Sequence, residues 1–163
     1  MYQEQYDRMK RLMFKIDPPS GFHGEQKEYE DNLWYFFQSA WHLKDWIKVD
    51  RTIQTFDIEK IVNSVRSLRL CADVANRTKH LEISNIREDA RPAGNDVTIH
   101  IGVTLVTKQE IDSGKIPIRK SGGNTYKYYI NDRSGNKYPA IELAKQIIKD
   151  WDDIIENYVR QQP

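Results

Sequence analysis

The sequence predicts an α+β fold: a four-helix bundle with a small antiparallel β-meander inserted between helices 3 and 4. Three observations predict it. Apolar residues recur at helical spacing through most of residues 2–83, the period changes to two within residues 97–131, and helical spacing returns after Pro139. A single domain is expected for the 163 residues, with helices 1–3 in 1–83, the β insertion in 84–138 and the C-terminal helix in 139–162.

The first helix is predicted over residues 2–16, where Tyr2, Tyr6, Met9, Met13 and Ile16 share a face. The stretch "DPPSGFHGE" ends it. Residues 26–49 form the most apolar helix, with Leu33, Trp34, Phe36, Phe37, Ala40, Trp41, Leu43, Trp46 and Ile47 spread over most of its circumference. Such a helix belongs in the middle of a bundle. Asp57 is the expected N-cap of the third helix, which opens Ile58, Ile61, Val62, Val65. "VTIHIGVTL" alternates Val97, Ile99, Ile101, Val103 and Leu105 as a half-buried strand does. "KIPIR" is a short edge strand because Pro117 lacks an N–H. "TYKYYIN" is a further strand and "DRSGNK" a turn. Pro139 suits the first position of the last helix, whose apolar face runs Ala144, Ile147, Ile148, Trp151, Ile154, Ile155, Tyr158.

A formal net charge of +1 excludes a polybasic binder or an acidic tail as the whole molecule. With 4 Trp, 9 Tyr and 5 Phe the chain has ample core material. One cysteine, Cys71, excludes an internal disulfide and a Cys-rich zinc module. No apolar run approaches the length of a membrane span and no signal region opens the chain, so a cytoplasmic protein without a membrane partner is expected.

The candidate site begins with "CADVANRTKHLEI". Projected at about 100° per residue, Arg69, Asp73, Asn76 and His80 continue the direction of Ile58, Ile61, Val62 and Val65, while the apolar face moves to Leu68, Ala72 and Ala75. A polar row in place of a core stripe needs polar partners, because an unpaired buried polar group costs about 1–3 kcal/mol. Helix 2 offers His42 and Asp45 in "WHLKDW". The plainer reading makes Arg69–Asp73 an (i, i+4) ion pair, His80 a helix-end group and His42–Asp45 a satisfied core pair. A metal reading would take His42, Asp45, Asp73 and His80 as ligands, but the Glu-x-x-His pairs of carboxylate-bridged bundles are missing; no metal or other cofactor is expected.

"FFQSAWHLKDW", then "CADVANRTKH", then a late helix with Trp151, resembles a group of small bacterial and phage proteins carrying H-L-x-D-W and D-x-x-N-x-x-K-H. More distantly it resembles the HEPN superfamily of helical ribonucleases of toxin and antiphage systems, which place an Arg four to six residues from a His at the end of the third helix. In this chain Arg77 stands three positions before His80, and Arg69 eleven. The resemblance implies a metal-independent ribonuclease with His80 as acid/base and Asn76 as its polar helper. The chemistry is consistent: a group titrating near neutrality moves the 2′-hydroxyl proton, Lys79, Arg77 or Arg69 supplies a cation for the phosphate, and Asp73 fixes the histidine tautomer.

The alternative is a non-catalytic nucleic-acid- or protein-binding module. Residues 115–137 carry six cations against one acid, Asp132, with tyrosines between them. Arg119, Lys120, Tyr126, Lys127, Tyr129 and Arg133 would contact nucleic acid by charge and stacking. RNA is the expected partner on the ribonuclease reading, nucleic acid or protein on the alternative, and the strands at 97–105 and 116–118 offer edges for a homodimer. The plainer account of this stretch is a solvated sheet face whose tyrosines cover the helices.

Overall fold

An amphipathic start sets the architecture. In the computed structural model, Tyr2–Ile16 form helix α1, which buries Tyr6, Met9 and Ile16 and exposes its cations. The structure describes residues 1–19, 21–53, 56–79, 126–132 and 136–160, with the backbone alone at 78 and 79. Pro18 and Pro19 lack the N–H groups a helix needs. Gly21 then turns the chain at φ 83°, in the left-handed region that favours glycine. Helix α2, Gln26–Val49, follows. It packs against α1 and against three later helices, α3 (Ile58–Ser64), α4 (Arg66–Lys79) and α5 (Ala140–Ile154). Its Leu33, Phe36, Phe37, Ala40 and Leu43 are fully buried, as expected of a central helix. Among the described residues there are five α-helices and one two-stranded antiparallel sheet.

The link after α2 is held by Asp50. Its buried carboxylate takes the Met1 amine at 2.7 Å and the Tyr2 N–H at 2.8 Å, and it accepts from the Thr52 hydroxyl at 2.7 Å. The ammonium first, then these hydrogen bonds, hold its carboxyl well below the usual range. The N-terminus of α1 is thereby tied to the C-terminus of α2.

The expected continuous third helix is two helices. Asp57 caps α3 as predicted, accepting from the Lys60 N–H at 3.0 Å. At Val65 the backbone is extended, φ −93° and ψ 119°. The Ser64 hydroxyl donates to the Ile61 carbonyl at 2.7 Å, a local bond that competes with helix continuation. The Asn63 carbonyl, left over at the break, accepts from the Arg69 guanidinium at 2.7 Å. A projection carried through Val65 therefore loses its register. Leu68, Ala75 and also Cys71 and Val74 form the buried face of α4.

α4 runs antiparallel to α2. The Lys44 ammonium meets Glu59 of α3 at 2.9 Å, and the Cys71 thiol donates to the Phe37 carbonyl at 3.4 Å, so later residues face earlier ones. Burial alone pushes the Cys71 thiol up. A neutral, enclosed thiol is a poor nucleophile. Cys71 is expected to resist a thiol reagent in the native protein and to react fully once unfolded; stoichiometric labelling of the native chain would contradict its placement.

The sheet pairs β1 (Tyr129–Asn131) with β2 (Lys137–Pro139), Ile130 opposite Tyr138. The sequence reading anticipated a strand that includes β1 and missed β2; the turn expected in "DRSGNK" falls on residues 133–135, outside the described residues. Pro139 ends β2 and stands just before α5, one place earlier than expected, and the Ala140 N–H donates to the Tyr128 carbonyl at 2.8 Å. Asp132 organises the hairpin. It accepts from the Asn136 backbone N–H and side-chain amide at 2.9 and 2.8 Å, from the Tyr138 hydroxyl at 2.9 Å and from Arg66 of α4 at 3.1 Å. The Asn136 amide is the largest influence, and against an upward push from burial these partners hold the carboxyl down at about 2. Unfolded aspartate titrates near about 3.9, so this contribution is complete above that pH and is lost as pH falls toward about 2. Backbone amide resonances of residues 129–131, 137 and 138 are expected to keep their folded positions down to about pH 4 and to shift below it. In Asp132→Asn they should show no such acid transition; an unaltered transition would contradict the assignment.

An aromatic cluster seats this hairpin on α2. Tyr128 stacks on Tyr29 at 5.6 Å and meets Trp34 edge-on at 6.0 Å, while Tyr126 packs on Phe22 and Tyr29 at 5.9 and 5.5 Å. α5 closes the core with Ala144, Ile147, Trp151 and Ile154 and continues into a π-helical turn, Ile155–Val159. Of the face predicted for this helix, Tyr158 is 47% exposed and stacks on Phe56. The strands expected at 97–105 and 115–119 lie outside the described residues.

Candidate functional site

Arg69, Asp73 and Asn76 follow one another at helical intervals on α4. They differ in surroundings. Arg69 is half-buried and reaches back across the Val65 break to Asn63. No ion pair joins it to Asp73 among the described residues, so the (i, i+4) pair of the plainer reading does not form. Asp73 is half-buried with its Oδ2 shielded from solvent. Asn76 is exposed and Arg77 half-buried. The row thus passes from a structural cation, through a half-buried carboxylate with one shielded oxygen, to an open amide. His80 and the Lys79 side chain, which would complete it, lie outside the described residues.

The helix-2 pair forms elsewhere. His42 Nδ1 lies 3.3 Å from Asp45 Oδ2, and both side chains are about half exposed, so this is a surface pair and not a core pair. The Asp45 carboxylate also takes the Lys44 ammonium at 2.8 Å, and Lys44 continues to Glu59, which Lys48 contacts as well. The Lys44 ammonium also sits 4.7 Å over the Trp41 ring. Burial raises the Asp45 carboxyl, but the hydrogen bonds from Lys44 and His42 outweigh it and leave the carboxyl below its ordinary value. Burial likewise lowers Lys44, and its two carboxylates more than reverse this. The result is a charge network that joins α2 to α3.

Among the described residues no hydrogen bond or ion pair joins His42 or Asp45 to Arg69, Asp73 or Asn76, and Asp73 stands apart from them along the helices. Phe37 lies level with Cys71. His42 is five residues from Phe37 toward the α3 end, and Asp73 two residues from Cys71 in the other direction. At 1.5 Å per residue they are about 10 Å apart along the helix axes. His42 moreover opens toward α1. Among the described residues no group of three or more His, Cys, Asp or Glu side chains is placed to hold a metal ion.

Of the proposed nucleic-acid contacts, Arg119, Lys120 and Arg133 lie outside the described residues. Tyr126 is half-buried, its hydroxyl donating to the Gly24 carbonyl at 3.3 Å, and its ring belongs to the aromatic cluster. Lys127 is half-buried. Tyr129 carries the Lys137 ammonium 4.0 Å from its ring. The tyrosines at 126 and 128 thus cover α2, as in the plainer account of this stretch.

Sequence reasoning missed one feature, a groove between α1 and α2. Its signal was present in Arg8, Arg11 and Lys15, which fall within about 60° of one another on a helical projection. No family model, curated protein or solved structure matches the chain. Among the described residues no helix is long and apolar enough to cross a membrane.

Proposed function

We propose that the chain acts on RNA as a HEPN-like, metal-independent ribonuclease of a bacterial or phage toxin or antiphage system, its site at the C-terminal end of α4. The observation that carries this reading is the gradient along α4, from the half-buried Asp73 carboxylate to the exposed Asn76 amide, on the turns that lead to His80. A shielded carboxylate suits a group that orients a histidine; an open amide suits one that meets substrate. Arg69 reaches back to Asn63, and Arg77 and Lys79 stand nearer to His80 along the chain, so they are the phosphate cations of this reading. The fold that accompanies this reading is a four-helix bundle in which α3 and α4 count as one interrupted helix and a β-meander is inserted before α5.

In the reaction the 2′-hydroxyl loses its proton to a base, its oxygen bonds to phosphorus, and the P–O5′ bond breaks as the leaving oxygen gains a proton. Incubation of the purified chain with labelled single-stranded RNA in excess chelator tests the proposal. Shortened RNA supports it; RNA that stays full-length over the range of pH where histidine titrates overturns it.

A further inference from the structure

The α1–α2 groove has an open volume of ≈ 640 Å³, and among the described residues no Asp or Glu lines it. Arg8, Arg11 and Lys15 project from α1 along one wall, and Tyr35, His42 and Trp46 from α2 along the other. In a chain with a net charge of only +1, three cations along one groove are a local concentration of charge; Arg8 also pairs with Glu4 on α1 at 3.4 Å, which leaves Arg11 and Lys15 as the groove's exposed, unopposed charges among the described residues. Arg8 is braced: its guanidinium lies 5.8 Å from the Trp46 ring and donates to Gln5 at 3.0 Å. Gln5 is in turn fixed by its bond to the Ser39 carbonyl at 2.9 Å. Arg11 and Lys15 are exposed and, among the described residues, belong to no ion pair. Tyr35 is 56% exposed, a large flat ring held at the groove by a helix.

We infer that this groove binds single-stranded nucleic acid, with phosphates along Arg8, Arg11 and Lys15 and a base stacked on Tyr35. Arg11 and Lys15 are one turn apart, about 6 Å along the axis, which suits consecutive phosphates of an extended strand. Charge complementarity alone would also admit an acidic peptide. The aromatic wall favours nucleic acid, because bases offer a flat face to each ring and carboxylates do not. The groove is separate from the end of α4, and this binding does not depend on RNA cleavage there.

The test is fluorescence anisotropy with a labelled 2′-O-methyl oligonucleotide of about ten nucleotides, which fills a site of this kind and has no free 2′-hydroxyl to react. Binding at about 50 mM salt should weaken with added salt, with a log–log slope near about −2 for three neutralised phosphates. Arg11→Glu/Lys15→Glu should bind at least about tenfold more weakly and with a shallower slope. Tyr35→Ala should bind about tenfold more weakly. Lys60→Glu/Lys149→Glu, an equal change of charge on exposed positions of α3 and α5, should bind nearly as the parent does. Since Arg11, Lys15 and Tyr35 are exposed, helical circular dichroism should be unchanged in each variant. Three results would overturn the inference: no binding by the parent chain, undiminished binding by Arg11→Glu/Lys15→Glu, or a glutamate-rich peptide competing as well as the oligonucleotide while Tyr35→Ala has no effect. Binding lost in the groove variants while His80→Ala still binds separates this inference from the ribonuclease proposal.

Discussion

Trp151→Ala is expected to lower the stability of the fold by about 3–5 kcal/mol. The indole is fully buried on α5, in the core cluster that also holds Phe36, Phe37, Leu68 and Ile147. Alanine would leave a cavity that helices on several sides cannot all close, so both the lost transfer energy and the lost packing count. For a chain of this size the melting temperature should fall by roughly 10 °C. The indole N–H meets no acceptor among the described residues. Trp151→Phe removes that donor and keeps an aromatic ring, so it should recover most of the loss. Urea denaturation followed by circular dichroism measures both. Equal stability of the alanine variant and the parent would contradict the placement of α5.

The second large effect concerns chemistry. His80→Ala is expected to reduce RNA cleavage by about 10²- to 10⁴-fold, the usual worth of a positioned acid/base. Imidazole is the side chain whose unperturbed titration falls near neutrality, so no neighbour replaces it directly. Asn76→Ala should reduce cleavage less, and because Asn76 is exposed its loss should leave the melting temperature nearly unchanged. Lys60→Ala serves as the comparison: its side chain is exposed on α3 and belongs neither to the groove nor to the end of α4, so cleavage should persist. Equal cleavage by His80→Ala and the parent would remove His80 from the mechanism.

The helices were legible in the sequence because burial on one face writes itself as a period. α1, α2 and the start of α5 fall close to where that period puts them. The break at Val65 was not legible: valine suits both helix and extended backbone, and the apolar spacing runs through it. β2 was hidden because Lys-Tyr-Pro is too short to show alternation, and its place depends on Asp132 and Arg66, far apart in sequence. Tyr126 and Tyr128 sit among lysines, and composition alone allows either base stacking or cover for the helices; Tyr29 and Trp34 of α2 receive them, as the plainer account has it. Of the candidate site, the row Arg69–Asp73–Asn76 was legible as helical spacing. The remoteness of His42 and Asp45 was legible in part: the short link after Val49 makes the second and third helices antiparallel, which sets the end of α2 beside the start of the third helix and away from Asp73. The groove is a property of two helices together, visible in neither alone.

The ends left on the RNA test the central claim most directly. Attack by the 2′-oxygen, with protons moved by side chains and no metal, must leave a 2′,3′-cyclic phosphate or its hydrolysed form on one fragment and a 5′-hydroxyl on the other. Mass spectrometry of fragments made by the parent chain in excess chelator should show those ends, and His80→Ala should yield none. Fragments bearing 5′-phosphate and 3′-hydroxyl ends, or RNA left whole by the parent chain, would contradict the account.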